Sequence, residues 1–167
     1  MERRLVAMLD DLVADWSRER PDLDLSHKQV VYALYIVATL LTRNADAVLA
    51  PWKLNFNSFG VLATLRRGGA PFERASGELA EALGFTAGGM SNLLRRLEKL
   101  GYVTRARSAT DARGVRVRLS AAGRRVVDEA LKAVARSEAR HIGSVGAVER
   151  RRLYRGLRTL IDSFADG

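Results

Sequence analysis

Seven residues within an eleven-residue stretch have side chains or backbone suited to touching a nucleic acid: Thr86, Gly88, Gly89, Ser91, Asn92, Arg95 and Arg96. Helical spacing puts them on the side left free by the apolar stripe Met90, Leu93, Leu94, Leu97 and Leu100. Asparagine pairs with the adenine edge when bidentate, and arginine with guanine O6 and N7. Each glycine costs about 1 kcal/mol against alanine in a helix interior, less in a first turn. Without side chains there, backbone N–H groups can approach a phosphate. The alternative is that the glycines only loosen the turn. The residues suited to catalysis are scarce. There is no cysteine, and the two histidines, His27 and His141, sit on different predicted helices. No H-E-x-x-H, phosphate loop or G-x-G-x-x-G occurs, so the chain is not read as an enzyme, and no metal or cofactor is expected.

The charge points the same way. Thr86 to Arg118 holds eight basic residues against Glu98 and Asp111, a net of +6 out of +9 for the chain. Residues 1–85 carry 10 basic and 11 acidic groups. A positive field concentrated beside a groove-sized helix is what phosphate neutralisation requires. The expected partner is double-stranded DNA.

The elements that position these groups are legible around them. Ser76 is a candidate N-cap for a short helix with Leu79, Ala82 and Leu83. Gly84 and Phe85 interrupt it, and Thr86 can cap the second helix. Gly101 stands where a left-handed residue ends that helix. Val115, Val117 and Leu119 alternate with Arg116 and Arg118, the period of a strand with one apolar face. Tyr102 to Arg105 can pair with it across a turn at Asp111–Gly114. Helix, turn, helix and β-hairpin make a winged helix-turn-helix. Arg107 and Arg113 lie on the wing, and Arg113 at its tip is the candidate for a narrow minor groove. Arg116, Arg118 and Lys99 are read as solvated surface.

The flanks are helical. Leu5, Met8, Leu9, Leu12, Val13 and Trp16 predict an amphipathic helix over 3–18. Ser26–Gln29 can form a capping box opening a helix over 27–50, with Val30, Val31, Leu34, Val37, Ala38 and Leu41 inside. Asn55 can cap a helix over 56–67, and Ser120 one from Ala121 to about Arg140. The last helix, about 147–165, carries Val148, Leu153, Tyr154, Leu157, Leu160, Ile161 and Phe164. So apolar a terminal helix packs on its own chain or, the preferred reading, interleaves with a second subunit. The fold class is mainly α with a small β-hairpin wing. Residues 1–50 and 121–167 supply dimerisation helices and 51–120 the DNA-binding domain. The hydrophobic content of 47% is enough for a core, no apolar run reaches the ~18 residues of a span, and a cysteine-free chain suits the cytoplasm.

The stretch Leu79–Gly123, with its D-x-R wing Asp111-Ala112-Arg113 and the following R-L-S-x-x-G, resembles the MarR family of bacterial winged-helix regulators. The resemblance extends outward over nearly the whole chain. It implies a homodimeric regulator, most often a repressor on a palindromic operator, released when a small aromatic or anionic effector binds. It gives Asp111 the role of holding an arginine or capping the wing turn. It places an effector cleft near Trp16, Phe59, Leu93 and Arg105. The N-terminal helix resembles that of the urate-responsive branch. That branch also uses an Asp and two arginines, but Gly60 and Leu93 stand at two of those places. Urate's polar edges would be left unpaired, which favours a more apolar ligand. Trp16 is alternatively a core or dimer anchor. The competing function is a constitutive or architectural DNA-binding protein without a ligand.

Overall fold

The computed structural model describes residues 2–107 and 114–165. Asp111 and Arg113 therefore lie outside the described residues. The elements are α1 (Glu2–Glu19), α2 (Lys28–Leu49), a 3-10 turn (Ala50–Trp52), α3 (Phe56–Arg67), β1 (Glu73–Ala75), α4 (Ser76–Leu83), α5 (Ala87–Lys99), β2 (Val103–Arg107), β3 (Val115–Leu119), α6 (Ala121–Ile142) and α7 (Ala147–Ser163). They form two compact units, Met1–Asn44 and Ala45–Gly167, and α2 crosses the division.

In the first unit α1 exposes Met8 and Trp16, and α2 exposes Val30, Tyr35, Val37 and Leu40. The expected burial of Val30 and Val37 is thus not met within one chain. The expected capping box is not what opens α2. The Ser26 N–H donates to the Asp24 carboxylate at 3.0 Å, and the helix begins two residues later at Lys28. The expectation that no stretch could span a membrane is also corrected. Lys28–Trp52 is long and apolar enough by length and composition, with a mean hydropathy of 1.3. Gln29 to Thr42 is free of charge, and its few polar residues do not lower the mean enough.

The second unit is built on one core. Leu49, Leu62, Leu65, Leu79, Met90, Leu94, Leu97, Val103, Val117 and Val127 are fully buried in it. α3 packs on α6, and α4 on α5. The caps are local and match their residues. Asn55 accepts from Ser58 N–H at 2.9 Å while Ser58 Oγ accepts from Asn55 N–H at 2.8 Å. Thr86 Oγ1 accepts from Gly89 N–H at 3.1 Å. Ser76 is not a cap. It is the first residue of α4, and Glu78 accepts the Ala75 N–H instead.

The sheet has three antiparallel strands in the order β1-β3-β2, not the two of a lone hairpin. The added strand, β1, pairs Glu73 with Arg118 and Ala75 with Arg116. This changes the reading of Arg116 and Arg118. Both donate to the Glu73 carboxylate, at 2.9 and 2.8 Å, instead of standing free on a solvated face. The two guanidinium hydrogen bonds, Arg116's first, hold the Glu73 carboxyl below the ordinary glutamate range. A depressed carboxyl stabilises the fold above its unfolded value, and that contribution fades as pH falls through the lowered one.

β2, β3 and α6 meet at one junction. Gly101 takes φ +73°, which permits the sharp exit from α5. Ser120 N–H donates to Tyr102 O at 3.0 Å, and Ser120 Oγ donates to Gly101 O at 2.6 Å. The same oxygen accepts from Gly123 N–H at 2.9 Å, capping α6.

Candidate nucleic-acid interface

The N-terminal turn of α5 is open to solvent. Thr86, Gly88, Gly89, Ser91, Asn92, Arg95 and Arg96 are all exposed, while Met90, Leu94 and Leu97 on the opposite face are fully buried. Leu93, between the two faces, is half-buried against the core. The amphipathic pattern thus fixes which face is offered outward. Because Thr86 satisfies only the Gly89 N–H, the first-turn amides of Ala87 and Gly88 point their positive ends outward, as an anion requires.

The polar side chains on this face are not equivalent. Arg95 Nη2 donates to Asn92 Oδ1 at 2.8 Å, so these two form a preorganised pair with the amide NH₂ still free to donate. Arg96 is tied elsewhere. Its Nη2 donates to the Lys53 carbonyl at 2.9 Å, and Lys53 has the left-handed φ of 57° that ends the 3-10 turn. Arg96 therefore clamps α5 to the entry of α3. Nothing in the sequence announces that contact, which spans 43 residues. Arg107 is exposed at the far end of β2.

The two glycines separate in the structure. A Cβ at Gly88 meets nothing within 4 Å, whereas one at Gly89 comes 3.2 Å from Thr86 Oγ1. No contact inside the lobe requires glycine at position 88. Gly88→Ala is therefore expected to leave the fold intact or raise its stability by up to about 0.5 kcal/mol. If a phosphate approaches the bare backbone, the same change weakens DNA binding about tenfold. Thermal unfolding and binding of one variant check both at once, and unchanged DNA affinity would leave the glycine as mere slack in the turn.

Of the candidate effector residues, Trp16 belongs to the first unit and Phe59, Leu93 and Arg105 to the second. Phe59 is in the core, 9% exposed. Trp16 is half-exposed on α1, beside Met8, Leu12, Asp11, Asp15 and Glu19. Arg105 is one wall of a cavity of about 100 Å³ behind α5, shared with Ser76, Ala80, Met90, Ser91 and Leu94. Arg105 also holds Glu98 through Nε at 2.8 Å and Nη2 at 2.6 Å, pinning the last turn of α5 to β2. That hydrogen bond keeps the Glu98 carboxyl below its ordinary range.

Known proteins resemble this chain in both sequence and fold. The sequence profile of the MarR family matches residues 52–114. The HTH-type transcriptional regulator PecS of Dickeya dadantii is 36% identical over 125 residues, covering 72% of this chain and 75% of that protein. The HTH-type transcriptional repressor Mb2911 of Mycobacterium bovis is 31% identical over 129 residues, covering 77% of this chain and 91% of that one. Among solved structures, a mutant MarR from E. coli complexed with operator DNA superposes with a TM-score of 0.72 at 23% identity, over 83% of this chain and 99% of that one.

Proposed function

We infer, from the premise that the chain belongs to the MarR family of transcriptional regulators, that it binds DNA as a homodimer, reads a palindromic operator and represses transcription from it. The observation that carries this reading is the outward turn of α5. Free first-turn amides, an unshielded Gly88 and the Asn92–Arg95 pair stand there together in a stretch of net charge +6. Thr86, Ser91 and Arg95 supply contacts from α5, and Arg107 and Arg113 from the wing. Arg96 acts through the position of α5 more than by touching DNA. Two such helices on a two-fold axis read half-sites about 34–36 Å apart. The apolar faces of α2 and α7 that one chain leaves exposed supply the second subunit's seat.

For the effector, the cavity of about 100 Å³ behind α5 supports entry of only a small anionic group of the ligand. Such a ligand would compete with Glu98 for Arg105 and loosen α5 from β2, whose relative placement sets helix against wing. On this reading sensing acts through Arg105, and Trp16 serves as an anchor for the second subunit.

The test is selection of genomic fragments on the purified protein, followed by affinity for the recovered site at two salt concentrations. A near-palindrome with half-sites one turn apart is expected. Arg95→Ala should lower the salt slope by about 0.9, one phosphate's worth. Recovery of unrelated fragments bound only at low salt would overturn sequence-specific regulation.

A further inference from the structure

A second basic cluster lies at the head of α6, built from residues the DNA-binding reading does not use. Arg66, Phe72, Ala121, Arg124, Arg125 and Asp128 line a polar cavity of about 260 Å³. Two guanidinium groups cover the Phe72 ring, Arg66 at 5.3 Å and Arg124 at 5.2 Å from its centroid. Arg66 is neutralised, its Nε 2.9 Å from Asp128 Oδ1 and its Nη2 3.3 Å from Oδ2. Arg124 and Arg125 have no carboxylate partner among the described residues. They are the fourth and fifth residues of a 22-residue helix whose first turn has no acidic residue. Cations near a helix N-terminus oppose its dipole, and two unneutralised guanidiniums lining one cavity repel. The stack of Arg124 on Phe72 offsets part of that cost for folding, whereas an incoming anion meets both guanidiniums and the positive end of the helix.

The geometry points to a binding site for a small oxyanion, a phosphate or carboxylate group held by Arg124 and Arg125 against the Phe72 ring edge. The planar fork of arginine matches either group through two parallel N–H bonds. The cavity falls just below the range of drug-sized pockets, which suits an inorganic ion or a short organic acid. The operator backbone is not the occupant favoured by position. The Leu119 N–H donates to Phe72 O, so the cavity lies at the end of the sheet away from the β2–β3 connection. The bound group would bridge the end of α3 to the first turn of α6, the helix running out of the lobe.

Thermal unfolding of the full chain tests this, in sodium phosphate or sodium citrate against chloride of matched ionic strength. Both anions raise the stability of most proteins by exclusion from the surface, so the comparison is between variants. At about ten times the dissociation constant, the wild type should gain about 3 °C more than Arg124→Gln/Arg125→Gln. Arg125→Gln alone, at an exposed side chain without a carboxylate partner among the described residues, guards against a double variant that fails to fold. Arg95→Ala should keep the full gain. The anion giving the larger difference identifies the group bound, phosphate or carboxylate. Equal gains in wild type and both variants would overturn the site. An operator affinity lowered as much by Arg125→Gln as by Arg95→Ala would reassign the cavity to DNA and overturn it equally.

Discussion

Gly123→Ala is expected to lower stability by about 3 kcal/mol or more, and the unfolding midpoint by roughly 6–12 °C. A Cβ built at this position falls 2.0 Å from Tyr102 O and 2.9 Å from its carbonyl carbon. The obstacle is backbone, not a side chain that can rotate away. That backbone is also held. Tyr102 O accepts the Ser120 N–H, and the Tyr102 N–H donates to Leu97 O at 3.0 Å. Relief would require α6 to back away from the end of α5, breaking the Ser120 cap. Gly156→Ala is the control, because a Cβ there meets nothing within 4 Å in the middle of α7. It should stabilise by up to about 1 kcal/mol. Ser120→Ala, which removes the cap but adds no clash, should fall between, at about 1 kcal/mol lost. Midpoints in the reverse order would show that the junction yields and that the glycine serves another purpose.

The same junction shows what the sequence makes legible. The caps at Asn55, Thr86 and Ser120 are readable because each is decided within three residues, by an oxygen and the N–H it accepts. The strand pair is readable because the period of two at Val115–Leu119 is local as well. β1 is not. Glu73-Arg-Ala has no strand signature of its own, and it becomes a strand only because β3, more than forty residues on, offers an open edge. The bond made by Arg96 is hidden from the sequence for a similar reason. Its exposure follows from helical periodicity, but its bond to Lys53 O depends on how α5 meets the turn before α3. Gly123 is visible in sequence only as a letter in a motif, and its need for a bare Cα appears once Tyr102 is in place. The cavity at Arg105 collects residues from four elements, and the cluster at Phe72 from two helices and the loop between α3 and β1, so no spacing rule would assemble them.

Leu153→Glu with Ile161→Glu is expected to turn a dimer into a monomer and to reduce operator affinity to that of a single half-site. The two side chains are 50% and 68% exposed in the single chain, and α7 has no buried residue among those described. Leu153, Leu157, Leu160, Ile161 and Phe164 repeat at helical spacing, so α7 presents a continuous apolar face to whatever covers it. Charges complement the covering expected from α1 of a partner. α7 carries Arg150, Arg151, Arg152, Arg155 and Arg158 against Glu149 and Asp162, while α1 has five acidic residues against Arg3, Arg4 and Arg18, with Asp15 already paired to Arg18 at 2.6 Å. Fully burying a leucine or isoleucine is worth about 1.5–3 kcal/mol, and each of these has roughly half its surface left to bury. A two-fold interface counts every change twice. The loss is then on the order of 3–6 kcal/mol, a dissociation constant raised a hundredfold to ten-thousandfold. Sedimentation at micromolar concentration reads the assembly directly. Because neither side chain sits in the core of the DNA-reading lobe, Arg95 and Gly88 remain available, and non-specific binding at low salt should persist. A variant that stays dimeric, or that loses specific and non-specific binding alike, would mean that α7 packs elsewhere and that the subunits meet through α2 alone.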